Sequence, residues 1–342
     1  MINYMTKYRT LRADKQSGFS LVEVMVGLLI GLLGTIVIFQ VFSISEGQKR
    51  TTTSGNDANQ SGVFALYTLE RHLRMGGGGL INEKNTMGCL IRASFNGAVV
   101  LPAAAAFPAP FATLNGQLRA APLLIQDGGG SNPDNVVVMY GNSALAGVAI
   151  DMTAFGDSVS VPNTVGFATG DIVLASTPFK TTLFEPPGDC FIGQMTNAPG
   201  PAVETIELTP AANNYNSAGG ITSTGYPFDG INLGQAGFLG FGISSTAADR
   251  FELVSYDFLT AGPVTAIADN IVNLQALYGV DDGSGGKTAE DSIIDAWVPA
   301  TGTWSYAALT DGSFNASAKL RRIKAVRLAL VARSALPEKR EG

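Results

Sequence analysis

Residues 18–42 read GFSLVEVMVGLLIGLLGTIVIFQVF, and the architecture of the chain follows from them. The 24 residues from Phe19 to Phe42 hold one formal charge, that of Glu23. At about 1.5 Å per residue a helix of this length spans about 36 Å, enough to cross a hydrocarbon core of about 30 Å. The stretch therefore predicts an N-terminal helix suited to a membrane.

The charges around this helix predict its orientation. Residues 1–18 contain four basic side chains and one acid, so they carry a net charge of +3. Because the whole chain carries −6, the remaining residues carry −9. Basic flanks stay in the cytoplasm, so residues 1–18 are expected inside and the rest of the chain outside. The apolar run is too long for an ordinary secretory signal, and no Ala-x-Ala site follows it. A plain signal anchor remains the alternative.

Composition narrows the rest of the molecule. The chain has 342 residues with 41 Gly and only 15% charged residues, which favours a β-rich domain with many turns. Its acidity makes sequence-independent DNA binding a poor prospect, since that binding depends on Lys and Arg. His72 is the sole histidine, and the sequence offers no nucleophile–base pair, phosphate loop or metal cluster. We therefore expect that the protein is not an enzyme and that it binds no cofactor, small-molecule substrate or nucleic acid.

The junction GFSLVEVMVGLLI, residues 18–30, resembles the class III signal of type IV prepilins. This resemblance implies that a membrane-bound prepilin peptidase cuts between Gly18 and Phe19 on the cytoplasmic face. It also implies N-methylation of the new amine of Phe19. Glu23 then stands at the fifth position of the mature chain, where the family carries an acid.

Glu23 is interpreted as an assembly-register residue and not as a catalytic acid. A carboxylate in lipid requires a partner, and the amine freed at Phe19 of a neighbouring helix supplies one. Loss of one member of a buried ion pair costs about 3–5 kcal/mol, so such a pair sets register strongly. Gly27 and Gly31 have the spacing of a small-residue surface for close helix packing, or are simply tolerated in a membrane helix.

The helix is expected to continue beyond the apolar run. The polar stretch Thr51–Gly62 has low helix propensity and predicts a kink or a partly melted segment, and Gly76–Gly79 predicts the end of the helix. Apolar residues at helical spacing over 61–75 predict one apolar face, formed by Val63, Leu66, Tyr67, Leu69 and Leu73.

Short β-type runs separated by Gly, Pro, Asn and Asp fill the chain after residue 80. The Ala- and Pro-rich residues 101–122 predict an exposed insertion, and Ile267–Leu277 predicts a short helix or a helix that leads into a strand. Strands are predicted at Val136–Tyr140, Ser158–Val161, Ile172–Ala175, Cys190–Met195, Val203–Leu208, Phe238–Ile243, Phe251–Phe258 and Ile323–Ala332.

Two further regions resemble PilW-like minor pilins. The string LERHLRMGG, residues 69–77, is similar to the end of their first helix, with His72 where an acid is common; we expect His72 to be a partly exposed helix residue. The strings DNIVNLQALYGVDD and IKAVRLALVARS are similar to their C-terminal part. The matching residues are Asn273, Leu274, Gln275, Tyr278, Gly279, Val280, Asp281, Arg327, Leu330, Arg333 and Ser334.

Cys89 and Cys190 lie beyond the membrane segment, in a compartment expected to be oxidising. An even pair predicts one disulfide across a loop of about 100 residues, and two buried free thiols are the alternative. No second pair has the spacing of a zinc site.

Two other stretches could be interpreted as binding sites, one for calcium and one for DNA. Asp281–Gly286 offers oxygen ligands for calcium, but it lacks the alternating acids and closing Glu of an EF-hand loop, so a turn between strands is the simpler interpretation. Six basic residues lie between Lys319 and Arg333. In a strand Arg327 and Leu328 point to opposite faces, so a solvated face explains most of these charges.

Together these observations predict an α+β, type IV pilin-like fold. The ranges are a cytoplasmic leader over 1–18, a transmembrane and assembly half of the helix over 19–43, its outer half and break over 44–79, and a periplasmic β-rich domain over 80–342. The resemblance implies a minor pilin of the inner membrane and then the pilus, which helps prime pilus assembly and supports twitching motility and attachment. Its partners would be the prepilin peptidase, other minor pilins and the major pilin. A minor pseudopilin (J-type) of a type II secretion system and a membrane-anchored adhesin are the alternatives.

Overall fold

The computed structural model describes residues 18–80, 86–143, 148–152, 155–177, 187–197, 200, 203–217, 228–247 and 250–334. Of the predicted leader, residues 1–17 lie outside the described residues. The chain forms a long N-terminal helix and a β-rich domain, which confirms the predicted α+β class. The helices are α1 (Leu21–Met75), α2 (Tyr306–Leu309) and α3 (Phe314–Arg322).

Helix α1 runs for 55 residues without a break. The structure gives helix throughout Thr51–Gly62, so the partly melted segment predicted there is wrong. The polar side chains of this stretch remain compatible with a helix, because a hydroxyl can bond to the backbone one turn earlier; Thr52 Oγ1 donates to Gln48 O at 2.9 Å. The described residues up to Ser54 belong to one unit, and the compact unit that contains the β-rich domain begins at Gly55.

The outer part of α1 packs on the domain through a narrower face than predicted. Ala65 and Leu69 are fully buried, whereas Val63 and Tyr67 are each 63% exposed and Leu66 is 46% exposed. The sequence pattern identified the apolar residues of the helix but not which of them face the sheet. The small Ala65 lies at the contact, and three of the larger side chains point away from it.

All eight predicted strand segments contain strands. The strands are β1 (Leu90–Phe95), β2 (Ala98–Leu101), β3 (Leu123–Gln126), β4 (Asn135–Tyr140), β5 (Ala149–Met152), β6 (Ser158–Ser160), β7 (Ile172–Ser176), β8 (Asp189–Gln194), β9 (Thr205–Glu207), β10 (Phe228–Gly234), β11 (Gly237–Ala247), β12 (Arg250–Asp257), β13 (Thr265–Asp269), β14 (Ile271–Val280), β15 (Ala296–Pro299) and β16 (Ile323–Ala332).

These strands form four sheets. A six-stranded sheet has the order β2-β1-β8-β7-β10-β5, a five-stranded sheet β13-β12-β11-β4-β3, a three-stranded sheet β15-β14-β16, and β6 pairs with β9. Strands β1 and β8 are parallel, and the other recorded pairs are antiparallel.

Two cores lie on opposite faces of the six-stranded sheet. Cys190 and Ile192 of β8 face the larger core, which also receives α1, whereas Phe191 between them faces a smaller core. This alternation follows from the two-residue period of a strand. The aromatic rings of Phe155 and Phe228 meet Phe191 in the smaller core, with centroids 5.6 and 5.8 Å away.

Two predictions for the domain are wrong. Ile267–Leu277 falls in β13 and β14, with Asn270 at a positive φ of 62° between them, because the alternate residues Leu274 and Ala276 are buried against the core. Residues 101–122 are not an exposed insertion, because their leucines and phenylalanines enter the larger core. The ring of Phe111, for example, lies 5.9 Å from that of Tyr256.

Candidate functional site

The N-terminus of α1 presents the residues of the predicted signal. Gly18, Phe19 and Ser20 precede the helix, and Phe19 is 82% exposed. The first turn is closed by a hydrogen bond from Val24 N–H to Ser20 O at 3.1 Å, and Glu23 lies in that turn. A carboxylate here is at the positive end of the helix dipole, which favours it locally.

The first half of α1 leaves its apolar surface uncovered. All large apolar side chains from Phe19 to Ile44 are exposed, with exposed fractions of 48% or more. This part of the helix is long and apolar enough to cross a membrane. A Cβ placed on Gly27 or Gly31 would meet no atom within 4 Å, so both glycines leave open surface on the helix. Such a surface is stable only where lipid or other helices cover it.

Cys89 and Cys190 form a disulfide, which confirms the predicted pair over two free thiols. Their Cα atoms are 5.6 Å apart, and the bond joins the start of β1 to the neighbouring parallel strand β8. The bond therefore closes a loop of 101 residues at the centre of the six-stranded sheet.

His72 holds the end of α1 on the five-stranded sheet. Its Nδ1 lies 2.8 Å from the Tyr140 hydroxyl, and its ring centroid is 5.4 Å from that of Phe241. The residue is partly buried, as predicted. Burial, with the nearby Arg71 cation, lowers the pKa of His72, because both disfavour a charged imidazole. The neutral ring suits a packing and hydrogen-bonding role.

The PilW-like residues of β14 tie that strand to the loop before β4. The Asn273 side-chain amide donates to Ser131 O at 3.0 Å, and that of Gln275 donates to Asn132 O at 2.7 Å. From the loop, Asp134 accepts from Ala276 N–H at 2.8 Å. Burial raises the pKa of Asp134, although its hydrogen bonds from the backbone N–H groups of Gly128 and Ala276 oppose this shift.

The second half of the same string is fixed by buried contacts. Tyr278 is fully buried, and its hydroxyl accepts from Ile125 N–H at 2.5 Å. Burial raises the pKa of Tyr278. A Cβ on Gly279 would lie 3.0 Å from the Trp297 ring, so the absence of a side chain at this position leaves room for the ring. Asp281 accepts from Ser292 N–H at 2.6 Å and closes the next loop.

The calcium and DNA hypotheses gain no support from this geometry. Asp281–Gly286 belongs to the connection between β14 and β15, and within the described ranges no group of three acidic, His or Cys side chains is placed to hold a metal. Most of the basic side chains make local contacts instead. The guanidinium of Arg327 lies 4.3 Å from the Trp297 ring centroid, and Arg322 Nε is 3.1 Å from a Glu290 carboxylate oxygen.

The structure thus places the predicted residues in three separate groups. Gly18, Phe19 and Glu23 lie at the start of α1, the two cysteines lie between β1 and β8, and the C-terminal string lies in β14 and β16. The sequence placed Val63 and Leu66 on the apolar face of the helix but did not reveal that they are exposed, because helical periodicity alone does not tell which apolar side chain faces the domain.

Comparisons with known proteins agree with both ends of the chain. The family model Prokaryotic N-terminal methylation motif matches residues 14–39, and the family model Type IV Pilus-assembly protein W matches residues 254–341. No curated protein and no solved structure matches the chain. The matches support a membrane-anchored, pilus-associated protein that interacts with other pilus components, within families that are structural in kind. The predicted resemblance is confirmed: at its two ends this chain is similar to PilW-like, prepilin-type proteins.

Proposed function

We propose that this chain is a minor pilin, made as a prepilin, cut after Gly18 and N-methylated at Phe19. Helix α1 then holds it in the inner membrane with the β-rich domain in the periplasm. From there it enters the pilus at or near the tip, together with other minor pilins, and helps prime assembly of the major pilin. Pilus extension, twitching motility and attachment would depend on it.

The observation that carries this proposal is Glu23 in the first turn of an uncovered apolar helix, five residues into the chain that cleavage would leave. In lipid this carboxylate requires a cation. Phe19 precedes Glu23 by four residues, about 6 Å along a helix, so the amine of a neighbouring subunit meets the carboxylate when the two helices are offset by about one turn. Removal of one member of such a pair costs about 3–5 kcal/mol, so the pair selects one register between subunits.

Cleavage is tested by the intact mass of the protein from cells with and without the prepilin peptidase. We expect a chain that begins at methylated Phe19 in the first case and at Met1 in the second. A chain beginning at Met1 in both would refute the proposal. Loss of exoprotein export with normal pili, on deletion of the gene, would instead identify a pseudopilin of type II secretion.

The role of Glu23 is tested by incorporation into filaments. We expect Glu23→Gln to lose most of this protein from sheared pili, because the neighbouring amine then lacks its carboxylate. Glu46→Gln is the matched control, since Glu46 is also an exposed acid of α1 but lies beyond the apolar run. Equal incorporation of both variants would contradict the proposed pairing.

A further inference from the structure

An open groove lies between the outer part of α1 and strand β16. Its volume is about 470 Å³. Its walls are mainly apolar or small, with Asn59 the one amide among the lining residues. The lining residues are Gly55, Ala58, Asn59, Gly62, Val63 and Leu66 of α1 with Leu328, Leu330 and Ala332 of β16.

The groove is open because the sheet ends beside it. Strand β16 is the outermost strand of the order β15-β14-β16, and in the described part of the chain no strand pairs with its outer edge. Leu328 and Leu330 lie opposite Ala276 and Leu274 of β14, on the face that covers the core. One more strand on this edge would continue that face into the groove, toward Val63 and Leu66.

Exposed edges are normally protected, and this one is long. Strand β16 has ten residues, and its side chains are partly or fully exposed from Lys324 to Ala332. An edge of this length with apolar side chains on one face is a template for an added strand. A partner for this surface therefore needs an extended backbone that can hydrogen-bond to β16 and apolar side chains that can fill the groove.

The charge around β16 selects the partner's chemistry. Strand β16 itself carries Lys324 and Arg327 and no acid, and Arg333 follows it directly, although the whole chain is acidic. Pairing of β16 with β16 of a second copy would bring two such segments together, which like-charge repulsion opposes. Arg327 and Arg333 lie on the face opposite Leu328 and Leu330, over the rings of Trp297 and Phe251, and they keep that face positive. An extended segment with acidic side chains on its outer face would meet this charge.

We infer that β16 and the groove bind an extended segment of another protein, which adds as a strand to β16. Its apolar side chains enter the groove between α1 and β16, and its acidic side chains lie on the outer face. This surface lies in the β-rich unit and is separate from the signal region, so the inference holds whether or not the chain is a minor pilin.

The test uses the full chain in detergent and a fluorescein-labelled peptide in which leucine alternates with glutamate over eight residues. We expect saturable binding measured by fluorescence anisotropy. Replacing glutamate by lysine in the peptide should weaken binding at least ten-fold. N-methylation of alternate backbone nitrogens on the hydrogen-bonding edge should do the same, because that edge can no longer donate to β16.

Protein variants locate the binding surface. Val63→Asp and Leu66→Asp should each weaken binding ten-fold or more, whereas Phe64→Asp should change it less than two-fold. Phe64 is the matched control, since it is 55% exposed on the same helix but does not line the groove. Circular dichroism checks that each variant is folded, and both groove positions are already solvent-accessible.

Three outcomes would overturn the inference. The first is absence of peptide binding to the parent chain, and the second is equal binding by Val63→Asp and the parent. The third is sedimentation that shows a dimer lost in Val63→Asp without peptide binding, which would assign the groove to a second copy. Since these measurements use purified protein, they do not depend on cleavage at Gly18 or on pilus assembly.

Discussion

At the scale of single residues, the C-terminal string acts through hydrogen bonds to the backbone of distant segments. Tyr278 accepts from Ile125 N–H, a residue 153 positions away, and Gln275 reaches Asn132 across 143 positions. The sequence predicts that these residues match a family outline, but their partners are set by long-range strand pairing. Glu23 differs from these residues, because its interpretation follows from its position in an apolar run and requires no structure.

The Tyr278 hydroxyl should contribute measurably to stability. In Tyr278→Phe the buried Ile125 N–H loses its acceptor, so we expect the free energy of unfolding to fall by about 1–3 kcal/mol. Urea denaturation of the full chain in detergent measures the change. Tyr67→Phe is the control, because Tyr67 is 63% exposed and an exposed change should stay within about 0.5 kcal/mol. Equal effects of the two substitutions would argue against the buried hydrogen bond.

His72 should make stability depend on pH. Burial and Arg71 hold its folded-state pKa below the ordinary value of 6.5, so the unfolded chain binds the proton more readily. The contribution of neutral His72 is therefore fully present above pH 6.5 and declines as the pH falls below it. We expect unfolding curves between pH 5 and pH 8 to show this decline, and His72→Gln to lack that component. An identical pH profile for the parent and His72→Gln would contradict it.

At the scale of elements, local propensity gave the wrong secondary structure for two segments. The glycines and hydroxyl residues of Thr51–Gly62 predicted a kink or a partly melted segment, yet the stretch lies between two strong helical segments and is helical throughout. Ile267–Leu277 looked partly helical, yet it pairs with β12 and β16 on either side of Asn270. In both cases the neighbouring structure outweighed the propensity of a few residues.

The continuity of α1 predicts the effect of a glycine substitution. A Cβ on Gly55 would meet no atom within 4 Å, so Gly55→Ala should stabilise this helical stretch by about 0.5–1 kcal/mol. Hydrogen exchange of the amides of residues 51–62 should slow accordingly. Gly283→Ala is the control with the opposite expected effect. Gly283 has φ +78° in a turn, so a Cβ there is strained and the substitution should destabilise the chain. Unchanged exchange in Gly55→Ala would indicate that the segment is not helical in solution.

At the scale of the whole molecule, the family resemblance could be recognised at the two ends, whereas in the middle the sequence predicted individual strands and the disulfide but not how the segments pack. The signal region and the C-terminal strands carry strings that resemble a family, and both ends match family models. The segment around Phe107 and Phe111 carries no such string, and its Ala and Pro content suggested exposure. Its burial depends on aromatic partners such as Tyr256 and Phe258, which lie far along the chain and meet it only in the folded core.

The disulfide should stabilise the whole β-rich domain, because it joins adjacent strands of the six-stranded sheet that are 101 residues apart in the chain. Cross-linking so distant a pair restricts the unfolded chain, and removing such a bond costs about 2–5 kcal/mol. We therefore expect the double variant Cys89→Ser/Cys190→Ser to unfold at clearly lower urea concentration than the parent. Under reducing conditions the parent should approach the double variant, which itself should not respond to reductant. If reduction instead left the parent's midpoint unchanged while the thiols became reactive, packing alone would hold β1 against β8, and the loop constraint would contribute nothing measurable.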